Sequence, residues 1–234
     1  MSCTLLGGLV PDFEADSTIG KIHFHDYIQG HWAMLFSQPN DLCTVCTSEL
    51  ASIAASFKDF EDRNVKLIAL SCNDEEIQIK LDIESVIDPN GKVSYAIVSD
   101  VDSRLTELFG MLADPDEKDE SGRPLPARSF IIVGPDKKLK ASTIYPSSTG
   151  RNFLEALRLI DSLQLTAEQN VETPAQWNPG DKVFVGQCLS NEEARKEFPG
   201  GFESLSLPSG KDYIRLVDPV ATKSAKALCT LNPS

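Results

Sequence analysis

Trp32-Ala33-Met34-Leu35-Phe36-Ser37-Gln38-Pro39-Asn40-Asp41-Leu42-Cys43-Thr44-Val45-Cys46-Thr47-Ser48-Glu49-Leu50 is the stretch that decides the fold. Its opening apolar run, Trp32 to Phe36, ends at Ser37-Gln38-Pro39 and reads as a short buried strand. From about Thr44 to Asn64 the apolar positions Leu50, Ile53, Ala54, Phe57 and Phe60 recur at helical spacing. Cys43 and Cys46 therefore follow a strand and open a helix. That placement carries more information than the two-residue spacing alone. Unpaired N–H groups at a helix N-terminus carry partial positive charge and favour a thiolate, the form of cysteine that attacks peroxides and disulfides. A zinc half-site or two incidental core thiols are the competing readings, and neither a second such pair nor a nearby histidine pair supports zinc.

Outward from this stretch, strands and helices alternate. Val65 to Cys72 reads as a second buried strand, and Asp102 is placed to cap a helix carrying Leu105, Leu108 and Phe109. Ser129–Val133 and Leu139–Tyr145 are predicted strands joined by the turn sequence Gly134-Pro135-Asp136. Thr149 to Leu163 is a predicted helix with Phe153, Leu157 and Ile160 on one face. Ile77, Ile79, Leu81 and Ile83 alternate with polar residues as a strand would, although the α/β rhythm asks for a helix there, and a helix is expected. The order implies an α/β domain with a central mixed sheet flanked by helices. After Leu165, Pro174, Pro179, Pro199, Pro208 and Pro219 cut the chain into short pieces. Asp181–Val185 and Tyr213–Val217 are expected as strands and Asn191–Phe198 as a short helix, in a small C-terminal α+β domain whose end, from Ala221 onward, is expected to be partly disordered. The expected division is 1–168 and 169–234.

Bulk properties narrow the function. The net charge of -13 opposes non-specific nucleic-acid binding, which needs a basic surface. The N-terminus, Met1 to Gly8, lacks the basic start and long apolar stretch of a secretory signal. No window approaches the roughly 18 apolar residues of a membrane span, so a cytoplasmic protein is expected. With 41% hydrophobic residues a core is available without disulfides, and the six cysteines are expected mostly as free thiols. The three histidines, His23, His25 and His31, form no zinc pattern, and no metal or cofactor is expected. Arg128 and Arg151 are candidate cations for a thiolate, although each reads equally well as a surface residue at the start of a strand or helix.

The segment Phe36 to Leu50 resembles the active-site segment of one-cysteine peroxiredoxins, in which proline, three residues, threonine, two residues and cysteine follow one another. Leu67 to Ser71, Gly134 to Lys140, Tyr145 to Phe153, Thr173 to Trp177 and Leu207 to Lys211 resemble the same branch, in the same order along nearly the whole chain. The resemblance implies a thioredoxin-like fold with a C-terminal dimerisation domain, a homodimer, and thiol-dependent reduction of hydrogen peroxide and organic hydroperoxides. It implies that Cys46 is the peroxidatic nucleophile, that Pro39 shields it, that Arg128 stabilises thiolate and peroxide with Arg151 as a second cation, and that Glu49 orients an arginine. The Cys46 sulfenic acid would be reduced by an external thiol such as glutathione or a thioredoxin-like protein.

Three positions depart from the pattern. Cys43 stands where the family has threonine, Gln38 where it usually has histidine, and Thr44 where it usually has proline. A thiol is a poorer hydrogen-bonding group than a hydroxyl, which weakens peroxide activation. Cys43 is thus a tolerated substitute, a resolving thiol for Cys46, or half of a thioredoxin-like exchange or redox-sensing pair with weak peroxidase activity. A chaperone-like assembly protein is a further alternative. Some relatives in this branch carry a phospholipase serine within Gly-Asp-Ser-Trp-Gly. Here the matching stretch is Gln29-Gly30-His31-Trp32-Ala33, so, although His25 and Asp136 match the partner positions, no such lipase is expected and His25 is read as a structural histidine. Cys72 is read as a small core residue, and Cys188 as the least improbable remote resolving thiol.

Overall fold

Trp32–Gln38 forms a strand, β3, all seven of whose residues are buried, and it is the middle of the main sheet. The computed structural model describes residues 4–39, 44–72, 95–113, 118, 122 and 125–219. Its chain divides into two compact units, Met1–Phe153 and Leu154–Ser234.

In the first unit, a small antiparallel pair, β1 (Glu14–Ala15) and β2 (Ile22–His23), and a single turn of helix, α1 (Phe24–Tyr27), precede β3. Then come α2 (Thr44–Ala55), α3 (Phe57–Asp62), β4 (Val65–Ser71), β5 (Ala96–Ser99), α4 (Arg104–Leu108), β6 (Arg128–Val133) and β7 (Leu139–Tyr145). The sheet order is β5-β4-β3-β6-β7, with β3, β4 and β5 parallel and β6 and β7 antiparallel. This is the mixed sheet expected from the sequence. Side chains alternate across it. One face carries Leu35, Ile68, Leu70, Val98, Ile131 and Val133 into an apolar cluster with Phe24 and Leu105. The opposite face carries Phe36, Tyr95, Phe130 and Arg128.

Local boundaries differ from the sequence reading in four places. The helix expected from Thr44 to Asn64 is broken at Ser56, whose N–H lies 3.1 Å from both the Ser52 and Ile53 carbonyls, a shared bond that tightens the turn and ends α2. The helix expected from Thr149 starts at Phe153, and the Arg151 backbone N–H just ahead of it is bound by the Glu49 carboxylate. Asp102 is not the principal cap of α4. Asp100 does that work, accepting from Leu105 N and Thr106 N at 2.7 Å each, while Asp102 reaches only Arg104 N at 3.2 Å. Arg128 belongs to β6 rather than preceding it. The Ile77–Ile83 stretch lies outside the described residues, as does the chain from residue 220.

In the second unit α5 (Phe153–Glu168) is followed by β8 (Val171–Glu172), β9 (Val183–Val185), α6 (Asn191–Glu197), β10 (Glu203–Ser204) and β11 (Arg215–Val217). The strands make an antiparallel sheet in the order β10-β11-β9-β8, over a core that includes Leu165, Val171, Trp177, Val183, Val185 and Phe198. Both longer strands are shorter than expected. Asp181 is held in a turn by Asn178, and Tyr213 is exposed. Helix α6 starts from a capping box between Ser190 and Glu193.

Candidate active site

Cys46 lies in the first turn of α2 with its side chain buried at 1% exposure. Glu49 follows one turn later. Residues three apart share a helix face, so sulfur and carboxylate look toward the same part of the sheet. Arg128 projects from β6 into that space and donates from Nη1 to Cys46 Sγ at 3.3 Å and to Glu49 Oε2 at 2.9 Å. Its Nε–H is held by the Ser147 carbonyl.

Arg151 comes from the loop before α5. Its Nη2 donates to Glu49 Oε2 at 2.7 Å and its Nε to Glu49 Oε1 at 3.0 Å, while its backbone N–H reaches Oε1 at 2.6 Å. Nη1 closes on the Ser129 carbonyl at 2.7 Å. The guanidinium carbon lies 5.5 Å from the Phe36 ring centroid and 5.7 Å from that of Phe153, an aromatic floor that favours a cation. A Cβ at Gly150 would stand 3.4 Å from Val45 Cγ1 and 4.0 Å from Glu49 Oε1, ordinary contact distances, so the loop lies close against α2.

Arg128, Arg151 and Glu49 are all buried, so neither arginine is a surface residue. Two guanidinium groups share one carboxylate here, and Cys46 Sγ accepts from one of them. Buried charge of that kind is costly unless an anion meets it. A cation at hydrogen-bond distance favours thiolate over thiol.

Pro39 directly follows β3 and is half-buried, and Gln38 beside it is buried. Cys43 lies outside the described residues. Sequence reasoning missed Ser37 and Ser129, two buried hydroxyls beneath the arginines. The available signal was a serine inside a strand that is otherwise apolar up to that point. Elsewhere, His25 Nε2 lies 3.0 Å from the Val10 carbonyl, His31 Nδ1 lies 2.8 Å from the Gln29 carbonyl, and Asp136 accepts from Lys140 Nζ at 2.7 Å. Each of the three is occupied with local partners. Cys72 is buried but not in wholly apolar company, with Ser103 Oγ at 3.6 Å and Thr106 Oγ1 at 3.7 Å from its sulfur. Cys188 is exposed. Among the described residues no cluster of three or more His, Cys, Asp or Glu is arranged to hold a metal ion, and no helix is long and apolar enough to cross a membrane.

Comparison with known proteins matches residues 6–142 to the AhpC/TSA family and residues 162–201 to the C-terminal domain of 1-Cys peroxiredoxin. The chain is 47% identical over 215 residues to human peroxiredoxin-6, covering 90% of this chain and 96% of the relative. Among solved structures, a cysteine-to-serine mutant of peroxiredoxin 6 from Arenicola marina superposes with a TM-score of 0.88 at 46% identity, over 93% of this chain and 99% of that one. A yeast mitochondrial 1-Cys peroxiredoxin, described with a thiol-resolving mechanism through glutathione/thioredoxin systems, superposes with a TM-score of 0.82 at 36% identity, over 92% of this chain and 99% of that one.

Proposed function

Since the chain belongs to the peroxiredoxin family, in its 1-Cys branch, and is a thiol-dependent peroxidase, we propose that Cys46 is its peroxidatic nucleophile and Arg128 its principal electrostatic partner. The observation that carries this reading is the Arg128 Nη1–Cys46 Sγ contact at 3.3 Å, within a buried cluster of two guanidinium groups and one carboxylate. The Cys46 thiolate is the anion that Arg128 faces. It attacks one oxygen of the hydroperoxide and the O–O bond breaks. The departing oxygen takes a proton to leave as water or an alcohol, and Cys46 becomes a sulfenic acid. Two equivalents of external thiol then return it to the thiol, releasing water and a disulfide.

In this reading Glu49 holds Arg128 and Arg151 side by side against their mutual repulsion, so that one guanidinium faces the sulfur. Pro39 limits water at the mouth of the site. Cys43 belongs to the same proposal as the residue at the threonine position and a potential resolving thiol. Glutathione or a thioredoxin-like protein is proposed as reductant, by analogy with the yeast relative. A homodimer in the cytoplasm is proposed as the working form, with residues 1–168 as the peroxidase domain and 169–234 as the dimerisation arm.

Hydroperoxide consumption by wild type, Cys46→Ser and Cys43→Thr tests the assignment. Cys46→Ser is expected to lose turnover, and full turnover in that variant would refute it. Mass spectrometry after one equivalent of peroxide separates the roles of Cys43. Oxygen added on Cys46 supports an external resolving thiol, whereas loss of two hydrogens with Cys43 linked to Cys46 supports an internal one.

A further inference from the structure

The ladder between β3 and β6 pairs Ala33 with Val133, Met34 with Ile132, Leu35 with Ile131 and Phe36 with Phe130, and there it stops. The next residues, Ser37 and Ser129, are where a regular ladder would continue. Instead the Ser129 N–H bonds to the Ala127 carbonyl at 3.0 Å, closing a three-residue turn with Arg128 at its apex. Such a turn leaves β6 without its β3 partner just where Arg128 begins the strand, while Arg128 still pairs with Tyr145 of β7.

The Ser37 side chain fills the gap. Its Oγ donates to the Ala127 carbonyl at 2.5 Å and accepts from the Ser129 N–H at 3.0 Å, with Ser129 Oγ a further 3.1 Å neighbour. These contacts, with the Ser129 carbonyl a further 3.3 Å from Oγ, occupy the hydroxyl's one proton and two lone pairs. Ser37 has no exposed surface and Ser129 is 1% exposed, so water does not compete. The carbonyl of the same Ser129 receives Arg151 Nη1. One side chain therefore holds both ends of the turn that presents Arg128, and the residue whose carbonyl anchors Arg151. Ser37 sits on the sheet face away from Cys46 and acts only through the arginines.

We propose that Ser37 is a positioning residue of the peroxidase site, its hydroxyl stapling the turn that sets Arg128 against the Cys46 sulfur. The inference rests on the assignment of Cys46 and Arg128 above. Without the hydroxyl, the Ala127 carbonyl keeps only the bent bond from the Ser129 N–H, and the turn relaxes toward ladder geometry, carrying the guanidinium away from the sulfur. Displacements of that size in a positioned group cost about 10- to 100-fold in rate.

The test compares wild type with Ser37→Ala, Ser37→Thr, Ser37→Val, Arg128→Ala and Val183→Ala. The readouts are the second-order rate with hydrogen peroxide, its pH profile, and the pH dependence of Cys46 thiolate absorbance. Ser37→Ala and Ser37→Val are expected to slow the reaction about tenfold or more and to move thiolate formation to higher pH. Ser37→Thr, which keeps the hydroxyl, is expected to recover most of both. The core truncation Val183→Ala controls for lost stability alone and is expected to leave rate and profile in place. Should Ser37→Ala fail to fold, the Thr and Val variants, alike in volume, still isolate the hydroxyl. Equal rates and equal titrations for Thr and Val would overturn the proposal. If Arg128→Ala also matched wild type, the fault would lie instead with the assignment of Arg128 itself.

Discussion

Among the described residues of the first unit two carboxylates are buried, Glu49 at 4% exposure and Asp100 at 2%, and they are held in opposite ways. Asp100 is satisfied locally. Its oxygens accept from Leu105 N, Thr106 N and Thr106 Oγ1, all within six residues along the chain and all from neutral donors. The arrangement ties the end of β5 to the start of α4 and leaves nothing over. Glu49 is satisfied across the fold, by Arg128 and Arg151, 79 and 102 residues away. Its partners are charged and outnumber it, and one of them also donates to a sulfur. Burial of an acid is thus a structural device in one region and the scaffold of a reactive site in the other. What separates them is whether the partners carry charge beyond what the acid neutralises.

The largest effect is expected from removing the long-range acid. Glu49→Ala leaves two guanidinium groups buried side by side, which should cost about 3–5 kcal/mol of unfolding free energy and abolish most peroxide turnover. Glu49→Gln keeps the shape and should recover part of the stability but little of the rate. Denaturant unfolding and peroxide kinetics on both variants check this. A loss of stability no larger than that of a typical surface substitution would mean that the pairing is not what holds the arginines.

Asp100→Ala should show the other half of the contrast. Losing three hydrogen bonds to a buried carboxylate should cost about 1–3 kcal/mol, while the peroxide rate of the folded protein stays within about twofold of wild type. A large fall in rate with intact folding would join the two regions and end the distinction.

The smallest effect concerns a buried polar group with neither kind of partner. Tyr95 is 1% exposed, its ring packs edge-on to Phe36 at 5.9 Å, and its hydroxyl has no hydrogen-bond partner among the described residues. Burial pushes its phenol well above the usual tyrosine range, with Arg151 pulling weakly the other way. The unfolded chain therefore gives up this proton first, above pH ~10, and from there stability falls as pH rises. Tyr95→Phe should raise stability by about 1 kcal/mol near neutral pH and flatten that alkaline loss. Thermal unfolding across the pH range reads both. A less stable phenylalanine variant would show that the hydroxyl has a partner in solution.

The same contrast explains what could be read in advance. The strand from Trp32, the helix carrying Cys46 and the β6–β7 hairpin follow from local pattern, because apolar periodicity and turn residues act over a few positions. Boundaries failed where backbone groups met partners that residue pattern does not reveal. Glu49 binds the Arg151 backbone ahead of α5, and α4 is capped by Asp100 rather than Asp102 because the end of β5 brings Asp100 over the first turn. Arg128 and Arg151 were legible as cations but not as buried ones, since burial depends on what the rest of the chain places around them.

Sequence by itself determined the α/β order of the first unit, the short-segmented second unit and the placement of Cys46 at a helix start. These depend on residue types within one or two turns of each other. Tertiary structure alone decided that Glu49 bridges both arginines, that one of them touches the sulfur, and that Ser37 holds the turn from which it does so. Those contacts join residues 79 to 102 positions apart, or 92 in the case of Ser37 and Ser129. At such separations only the packing of strand against strand and helix against sheet sets the distances on which charge and hydrogen bonding depend.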